Sequence, residues 1–334
     1  MDKTSCIILA GGESKRFGED KAFFNFKGKS FLERALDTAM ETCGDVAISV
    51  RDESRIKDYL AEAKSVVRKR AAAGKKNAMP KIIADAGDNN CGFRGPLRGI
   101  YTSVNAVKGQ YALVTECDAP FFNSNAAKEL IEKLEEENVS AVVPLWPDSA
   151  VEPLLAVYKI KETVFVLEML NNYALNLKEY FLFTDSVNIG RFLSSVYYYN
   201  IFEASKNNNF IKPGFFININ SKKEIKAKNA GLDAEAVIAG KKHNGPGLKS
   251  VKIRKTNRFY DIKNPVNKPY GILARALYYW WVYAKTGNLI YFKKSFECFK
   301  KDGSIYDRNN LNFIGSKIVK TLQNTLASAG LSAL

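Results

Sequence analysis

The chain has 334 residues, of which 46% are hydrophobic and 25% charged, a balance that excludes a disordered protein and suits two folded domains. Its five cysteines are scattered without a Cys-x-x-Cys pair and its only histidine is His243, which argues against disulfide scaffolds, zinc sites and histidine-based catalytic triads. The formal net charge is +15, and residues 226–334 hold 20 of the 50 basic residues but only 6 of the 35 acidic ones, so the last third is predicted to attract anionic molecules.

Short apolar runs alternate with helical patterns through the first half of the chain. Residues 4–10 (TSCIILA) run into two glycines, as a buried parallel strand does at a turn. Ser30, with Glu33 three residues later, predicts a capped helix over 30–40. The elements predicted after it are strands 45–50, 81–85, 111–115 and 140–145 and helices 54–63, 99–107 and 126–136. This order predicts an α/β fold with a doubly wound, mostly parallel sheet that binds ligands at the carboxyl ends of its strands.

A basic stretch interrupts this alternation. Residues 64–84 hold seven Lys or Arg residues and no acid, with AAAGKKNAMP at the centre. We expect a mobile surface excursion there, either a lid over the site or, as is more common for charged loops, a solvated segment.

The remaining chain divides near residue 225. Residues 164–201 predict helix followed by a strand at 196–201, and residues 215–219 (FFINI) predict one more strand. We therefore expect one domain over residues 1–225 and a smaller, mainly helical, basic domain or extension over residues 226–334. Within the extension, 249–253 resembles an edge strand and 311–331 has the strongest helical pattern.

No part of the sequence predicts a membrane span. The apolar run at residues 6–10 is too short for a signal peptide. Residues 271–284 fall short of the roughly 20 apolar residues that cross a bilayer, and they include Arg275. With cysteines that look like reduced thiols, these features predict a cytoplasmic protein.

The segment with the most chemical information is residues 9–22, LAGGESKRFGEDKA. Gly11 and Gly12 allow backbone N–H groups to approach phosphate oxygens, while Arg16 and Lys21 supply positive charge. The segment is neither a P-loop nor a dinucleotide fingerprint. It predicts a cradle for a nucleoside triphosphate, and the competing interpretation is a glycine turn with solvated basic side chains.

The full pattern LAGGxSxRxGxDK resembles the signature of the molybdenum cofactor guanylyltransferases, a family of Rossmann-like nucleotidyltransferases. Further similar motifs follow in order over residues 1–225. They are Asp85 after a strand, the GPLAG-like turn 95–99 (GPLRG) with Arg98 at its variable position, 114–121 (VTECDAPF), 152–158 (EPLLAVY) and 216–220 (FININ). The last third has no counterpart in this resemblance.

The resemblance implies a role for each matching residue. Lys21, Arg16 and Asp118 would be catalytic, and Asp118 would also hold Mg²⁺. Asp85 would accept hydrogen bonds from guanine, and the acceptor would contact Asn218 and Asn220. The full set implied to bind nucleotide is Leu9, Ala10, Gly11, Gly12, Ser14, Lys21, Asp85, Gly95, Leu97 and Asp118. From the residues alone, Asp118 is also suited to capping the next helix and Asp85 to a solvated loop.

The implied reaction is Mg²⁺-dependent transfer of GMP from GTP to the terminal phosphate of molybdopterin, with pyrophosphate leaving. It needs alignment and charge stabilisation but no protein nucleophile, so a chain with one histidine can perform it. Ser49 and Arg51 stand at the end of a strand where relatives often carry Asn, which puts that contact with the nucleotide in doubt.

Other functions stay open at this point. Within the enzyme class they are cytidylyl transfer to molybdopterin and nucleotidyl transfer to a sugar phosphate, although LAGG favours guanylyl transfer. In a different class, the first domain is a non-catalytic scaffold and the basic, aromatic last third binds nucleic acid. For an enzyme, that third is a candidate surface for a molybdoenzyme or cofactor-carrier partner, or a small helical domain with an aromatic core.

Overall fold

The structure, a computed structural model, describes residues 3–12, 14, 17–75, 77–87, 90–146, 151–177, 193, 195–222, 251–254, 279 and 286–308. The strands are β1 (Thr4–Leu9), β2 (Asn25–Phe26), β3 (Lys29–Ser30), β4 (Asp45–Val50), β5 (Lys81–Ala84), β6 (Tyr111–Glu116), β7 (Ala141–Leu145), β8 (Ala156–Lys159), β9 (Ser195–Asn200) and β10 (Val251–Arg254). The α-helices are α1 (Phe31–Thr42), α2 (Ile56–Ala72), α3 (Pro96–Val104), α4 (Ser124–Glu137), α5 (Ile160–Leu177), α6 (Ile201–Asn207) and α7 (Leu289–Arg308).

Eight strands form one sheet in the order β10-β9-β7-β8-β6-β1-β4-β5. The pairs β1 with β4, β1 with β6, β4 with β5, and β7 with β9 are parallel, while β8 and β10 run antiparallel to their neighbours. The predicted doubly wound, mostly parallel α/β sheet is confirmed. Its carboxyl ends gather the loops after β1, β4, β5 and β6 at one edge.

Apolar side chains cover both faces of the sheet, as parallel strands require. Successive residues of β1 alternate between the faces, with Ile7 on one side and Ile8 on the other. The core on the side of Ile7 includes residues of α3, α5 and α7, and the core on the side of Ile8 includes residues of α1, α2 and α4. The sheet is therefore held between two helical layers, which fixes the loops at its edge.

The local signals at helix α1 give the predicted structure. Ser30 has an extended backbone, and its hydroxyl accepts the Glu33 N–H at 2.9 Å, which satisfies one of the free donors at the start of the helix. The apolar stripe of α1 is buried against β1 and the neighbouring helices. The helix begins one residue after its cap and ends two residues beyond the predicted end.

The basic stretch 64–84 is only in its middle the surface excursion that was predicted. Residues 64–72 continue helix α2, where Val66 is buried and the Arg70 guanidinium pairs with Asp37 of α1 at 3.0 Å. Lys75, just after the helix, pairs with Glu41 at 2.7 Å. These basic side chains bind α2 to the acidic face of α1, and residues 81–84 form strand β5 of the sheet. Residues 73–75 and 77–80, between these two elements, are mostly exposed and form neither helix nor strand.

The strand predicted at residues 215–219 is wrong. Pro213–Phe216 form a 3-10 helix, and the following residues are irregular. The edges of β9 are already occupied by β7 and β10, so no sheet edge is free for this segment there. Instead, the Ile219 N–H donates to the Asp118 carbonyl oxygen at 2.8 Å, which brings the segment to the end of β6.

Two described secondary-structure elements, β10 and α7, begin beyond the boundary predicted at residue 225. Strand β10 pairs with β9 at the edge of the sheet, as the edge-strand pattern predicted. Phe292 and Phe296 of α7 belong to the apolar core on the Ile7 side of the sheet. Residues 311–331 lie outside the described chain, and the division at residue 225 stays a prediction. The five cysteines are free thiols. In the described residues we find no helix with the length and apolarity that a membrane span requires.

Candidate nucleotide site

A cleft of about 610 Å³ opens at the carboxyl edge of the sheet, where the loops after β1, β4, β5 and β6 meet. This is where parallel α/β sheets bind ligands. Its lining comes from segments far apart in the sequence: Leu9, Gly11, Gly12, Lys21, Ser49, Arg51, Asp85, Arg94, Gly95, Pro96, Arg98, Gly99, Glu116, Asp118 and Asn220.

The glycine loop after β1 forms one wall of the cleft. A Cβ on Gly11 would lie 3.0 Å from the Asp85 Oδ2 atom, so a larger residue there would displace that carboxylate. Gly12 is exposed, and a Cβ on it would lie 3.7 Å from the Lys21 Cε atom. The two glycines thus leave their backbone accessible beside an acidic group on one side and a basic group on the other.

Lys21 and Asp118 form an ion pair at the floor of the cleft, with a direct Nζ to Oδ2 contact. Asp118 is only 4% exposed, because it follows the buried strand β6 and its carbonyl oxygen is bound by Ile219. Burial by itself would lower the pKa of Lys21, but the negative charge of Asp118 and its hydrogen bond, with smaller contributions from Cys117 and Glu116, together raise that pKa above its ordinary value. The lysine is therefore firmly cationic, and it neutralises a carboxylate that is largely removed from water.

The glycine loop is supported by contacts among the side chains of Asp20, Arg55 and Tyr59. The Tyr59 hydroxyl, fully buried, lies 3.2 Å from the Ala10 carbonyl oxygen and 3.0 Å from Asp20 Oδ2. Arg55 contacts the same carboxylate at 3.1 Å. Asp20 also accepts the Ala22 N–H at 3.1 Å, which caps the 3-10 helix Lys21–Phe23. This group ties the start of α2 to the backbone on both sides of the glycine loop.

Glu116 places a second carboxylate beside Asp118. Its Oε2 atom accepts from the Asn218 side-chain amide at 2.8 Å. Burial, and next the negative charge of Asp118, raise the pKa of the Glu116 carboxyl to about 8. Two carboxylates so placed repel each other, and a cation between them would relieve that repulsion.

Asp85 follows β5 and lies beside the glycine loop, on the other side of that loop's strand β1 from strand β6, which leads to Glu116 and Asp118. Its Oδ1 atom accepts from the Ser49 hydroxyl at 2.5 Å. Burial raises the pKa of Asp85, opposed by the Ser49 hydrogen bond and by the positive charge of Arg98. A half-buried carboxylate with one oxygen turned toward the glycine loop is suited to a ligand that presents N–H donors.

Comparison with known proteins assigns this architecture to a family. Residues 6–174, just over half of the chain, match the model of the MobA-like NTP transferase domain. The chain belongs to this family. It is accordingly an enzyme of the nucleotidyltransferase class.

Curated relatives of the MobA-like domain carry consistent names. The probable molybdenum cofactor guanylyltransferase of Geobacillus sp. (strain WCH70) is 30% identical over 47% of this chain and 71% of that protein. The molybdenum cofactor guanylyltransferase of Desulfosudis oleivorans is 34% identical over 47% of this chain and 66% of its own. A probable molybdenum cofactor guanylyltransferase of Bacillus subtilis is 28% identical over 66% of this chain and 91% of its own.

Most of the residues predicted for the site line the cleft of the MobA-like domain. They are Leu9, Gly11, Gly12, Lys21, Asp85, Gly95, Asp118 and Asn220. Others stand behind this lining: Ala10 and Leu97 are buried, the Ser14 hydroxyl accepts the Lys21 N–H at 3.1 Å, and the Asn218 amide is held by Glu116. Arg16 lies outside the described residues.

Several lining residues were not predicted for the site. Glu116 had a usable signal, since side chains two apart on a strand share a face and Asp118 was already a candidate. Ser49 and Arg51 were noted only as departures from the family pattern, yet both reach the cleft. Arg94 precedes the GPLRG turn, and Arg98 lies within it. No periodicity marks these two, because their place depends on how α3 packs on the sheet.

The residues on the cleft floor fit a magnesium ion. Asp118 and Glu116 offer hard carboxylate oxygens, the donors that Mg²⁺ prefers. In the part of the chain that the structure describes, no group of three or more His, Cys, Asp and Glu residues is arranged around a metal position. An ion here would therefore take its remaining ligands from phosphate oxygens and water, as Mg²⁺ does in nucleotide sites.

Proposed function

We propose that this MobA-like domain transfers GMP from GTP to the terminal phosphate of molybdopterin, giving the guanine dinucleotide cofactor and pyrophosphate. One observation carries the proposal: the glycine loop and the Lys21–Asp118 pair share a single cleft with Asp85. In this proposal the glycine loop and Lys21 bind the phosphates, and Asp85 binds the base, within one cavity. The names of the relatives support the same reaction.

Asp85 selects the base in this proposal. Guanine presents adjacent N1–H and N2–H donors, which the carboxylate oxygens accept. Adenine has no donor at N1 and cytosine has none at N3, so either would leave part of the buried carboxylate unpaired. A buried acceptor without its donor costs about 1–3 kcal/mol, which is enough to favour GTP clearly over other triphosphates.

The glycine loop and Lys21 hold the triphosphate. The exposed backbone at Gly12 offers N–H groups to phosphate oxygens, and Lys21 Nζ lies beside it to offset their negative charge. Lys21 is occupied by Asp118 in the free protein, so nucleotide phosphates compete with that carboxylate for the ammonium group. A magnesium ion held by Asp118, with Glu116 beside it, would supply additional positive charge at the phosphates.

The chemical step is an in-line displacement at the α-phosphorus of GTP. A terminal phosphate oxygen of molybdopterin forms the new P–O bond, and the bond to the bridging oxygen between the α- and β-phosphorus atoms breaks. The electron pair leaves with pyrophosphate. The attacking phosphate is already anionic, so no protein group needs to remove a proton. The protein aligns the two phosphates and stabilises the developing charge with Lys21.

The acceptor enters from the side of the FININ segment. Asn220 lines the cleft, and Asn218 is fixed by Glu116, so this segment stands next to the carboxylates on the cleft floor. Asn220 is positioned to contact the molybdopterin phosphate, while Asn218 orients Glu116. In the sheet order β6-β1-β4-β5, Asp118 and Asp85 follow strands on different sides of β1, so the proposal puts the acceptor phosphate on the side of the triphosphate away from Asp85.

A single assay tests donor, acceptor and activity together. The full chain is incubated with Mg²⁺, molybdopterin and each labelled nucleoside triphosphate, and both pyrophosphate and the dinucleotide product are measured. We expect product with GTP alone. Product with CTP alone would make the enzyme a cytidylyltransferase. In a parallel incubation a sugar phosphate replaces molybdopterin, and transfer only to the sugar phosphate would replace the proposed acceptor. Omission of Mg²⁺ with excess chelator is expected to abolish turnover.

The basic last third is proposed to contact a molybdoenzyme or cofactor carrier that receives the product. Its charge also suits nucleic acid, which a salt titration against random RNA distinguishes. Affinity for RNA that falls steeply with salt would support the nucleic-acid hypothesis. If the chain does not bind RNA near physiological salt, the proposed partner remains a protein.

A further inference from the structure

Arg98 occupies the base-binding wall next to Asp85, and the proposed function has assigned it no role. Three arginines line the cleft, but they differ in setting: Arg51 and Arg94 are exposed, while Arg98 is half-buried. The Arg98 Nε–H donates to the Phe93 carbonyl oxygen at 2.8 Å, which fixes the plane of the guanidinium. The guanidinium also hydrogen-bonds the buried Cys91 thiol, and a planar group held in this way keeps its N–H donors in a defined direction.

Close packing of helix α3 sets the position of Arg98. A Cβ on Gly99 would lie 2.5 Å from Ser49 Oγ and 3.0 Å from Leu9 Cδ2, so only glycine allows the helix to approach β1 and β4 this closely. Ser49 in turn donates to Asp85. The residue next to Gly99 is therefore carried to the same corner of the cleft as the Asp85 carboxylate.

A second contact fixes α3 relative to the Asp85 loop. The N–H of Ala86, directly after Asp85, donates to the Thr102 hydroxyl at 3.0 Å, and that hydroxyl donates to the Arg98 carbonyl oxygen at 2.9 Å. The positive charge of Arg98 acts on Asp85, where it opposes the effect of burial on the pKa. Neither Arg51 nor Arg94 is among the groups that shift Asp85.

We infer that Arg98 is a specificity-determining residue that donates to O6 and N7 of guanine while Asp85 accepts from N1–H and N2–H. The chemistry follows from the shape of the base: guanine places two acceptors beside two donors, and a guanidinium matches the acceptors as a carboxylate matches the donors. Adenine presents an amino group where guanine has O6, so its donor would face the donors of Arg98. The inference rests on the proposed function, since it assumes that GTP is the donor.

Binding of nucleotide analogues separates this role from a structural one. The probes are GTP, 7-deaza-GTP, which lacks the N7 acceptor, and ITP, which lacks the N2 amino group. Affinities are measured by calorimetry with the full chain and Mg²⁺. We expect the wild-type protein to bind 7-deaza-GTP at least 5-fold more weakly than GTP. Arg98→Ala should bind GTP about 5- to 150-fold more weakly, the range typical of a bidentate arginine–guanine pair.

The decisive measurement is how the Arg98→Ala substitution changes the ratio of the affinity for GTP to the affinity for each analogue. In Arg98→Ala the ratio of GTP to 7-deaza-GTP affinity should fall to about one, while the ratio of GTP to ITP affinity, which reports on Asp85, stays near the wild-type value. Arg94→Ala is the matched control, since it removes an arginine from the same cleft. Arg94→Ala should still bind 7-deaza-GTP more weakly than GTP, by the same factor as the wild-type protein.

The outcomes distinguish the possible failures. Equal weakening of all three nucleotides in Arg98→Ala would show that the side chain supports the loop without reading the base, and would overturn the inference. Equal binding of GTP and 7-deaza-GTP by the wild-type protein would overturn it without any variant. If Arg98→Ala does not fold, Arg98→Lys serves instead: it keeps the charge but not the planar fork, and should lose most of the N7 penalty. Absence of GTP binding by the wild-type chain would refute the proposed function as well.

Discussion

Lys21 and Asp118 hold each other in the free protein and hold the reacting phosphates in the proposed complex. Asp118→Asn keeps the size of the side chain and removes its charge, so turnover should fall about 10²- to 10³-fold, as for loss of one electrostatic stabiliser. The measurement is kcat with GTP and molybdopterin, alongside a melting curve. The matched control is Asp45→Asn, whose carboxylate pairs with Lys81 at 3.1 Å at the other end of β4. Full turnover in Asp118→Asn would exclude the catalytic role.

The Asp85 carboxylate is expected to lower the stability of the folded protein and to raise its affinity for GTP, so removing it should change these two properties in opposite directions. Its pKa is raised in the folded protein, so ionisation disfavours folding, and this penalty develops as the pH rises above the ordinary value of about 4. Asp85→Asn should therefore melt at a higher temperature at pH 7, and the gain should shrink as the pH approaches 4. GTP affinity should fall about 5- to 150-fold, because the guanine N–H donors lose a carboxylate acceptor. A variant that is less stable at pH 7 would contradict the account.

At the scale of elements, Tyr59 shows how helix α2 supports a loop 50 residues earlier in the chain. Tyr59→Phe removes only the hydroxyl that lies near Ala10 and Asp20, so we expect a loss of about 1–3 kcal/mol in unfolding free energy and a higher KM for GTP. Tyr199→Phe is the control. The Tyr199 hydroxyl donates to Glu129 Oε1 at 3.0 Å, and neither residue lines the cleft. This substitution should lower stability without changing KM. Equal KM changes in both variants would rule out positioning by Tyr59.

The elements also show what the sequence reveals and what it conceals. The strands and the Ser30 cap were predictable because their signals lie within a few residues, and so were the glycine loop and Asp118, which end apolar strands. Residues 64–72 were misassigned because their basic side chains bind acids on α1, a contact invisible in the local pattern. The strand predicted at 215–219 failed because the neighbouring edges were already paired. Arg98 reaches the cleft through packing between distant segments, which no local rule describes.

At the scale of the whole molecule, helix α7 from the basic last third belongs to the same core as the site. Phe296 is 7% exposed and shares an apolar cluster with Leu9, which lines the cleft. If this core unfolds as one unit, a substitution that destabilises α7 also destabilises the nucleotide site. Phe296→Ala should reduce the free energy of unfolding by about 3 kcal/mol, through lost burial and the cavity left behind.

The test follows urea unfolding with two probes, circular dichroism for the sheet and binding of a fluorescent GTP analogue for the cleft. We expect the two transitions to coincide in the wild-type protein and to move together to lower urea in Phe296→Ala. Phe210→Ala is the matched control, because Phe210 is 73% exposed and its loss should change stability by no more than about 0.5 kcal/mol. A variant in which α7 is damaged while the cleft keeps its wild-type transition would show two independent units. Such a result would support the division predicted near residue 225, because only separate cores can unfold at different urea concentrations.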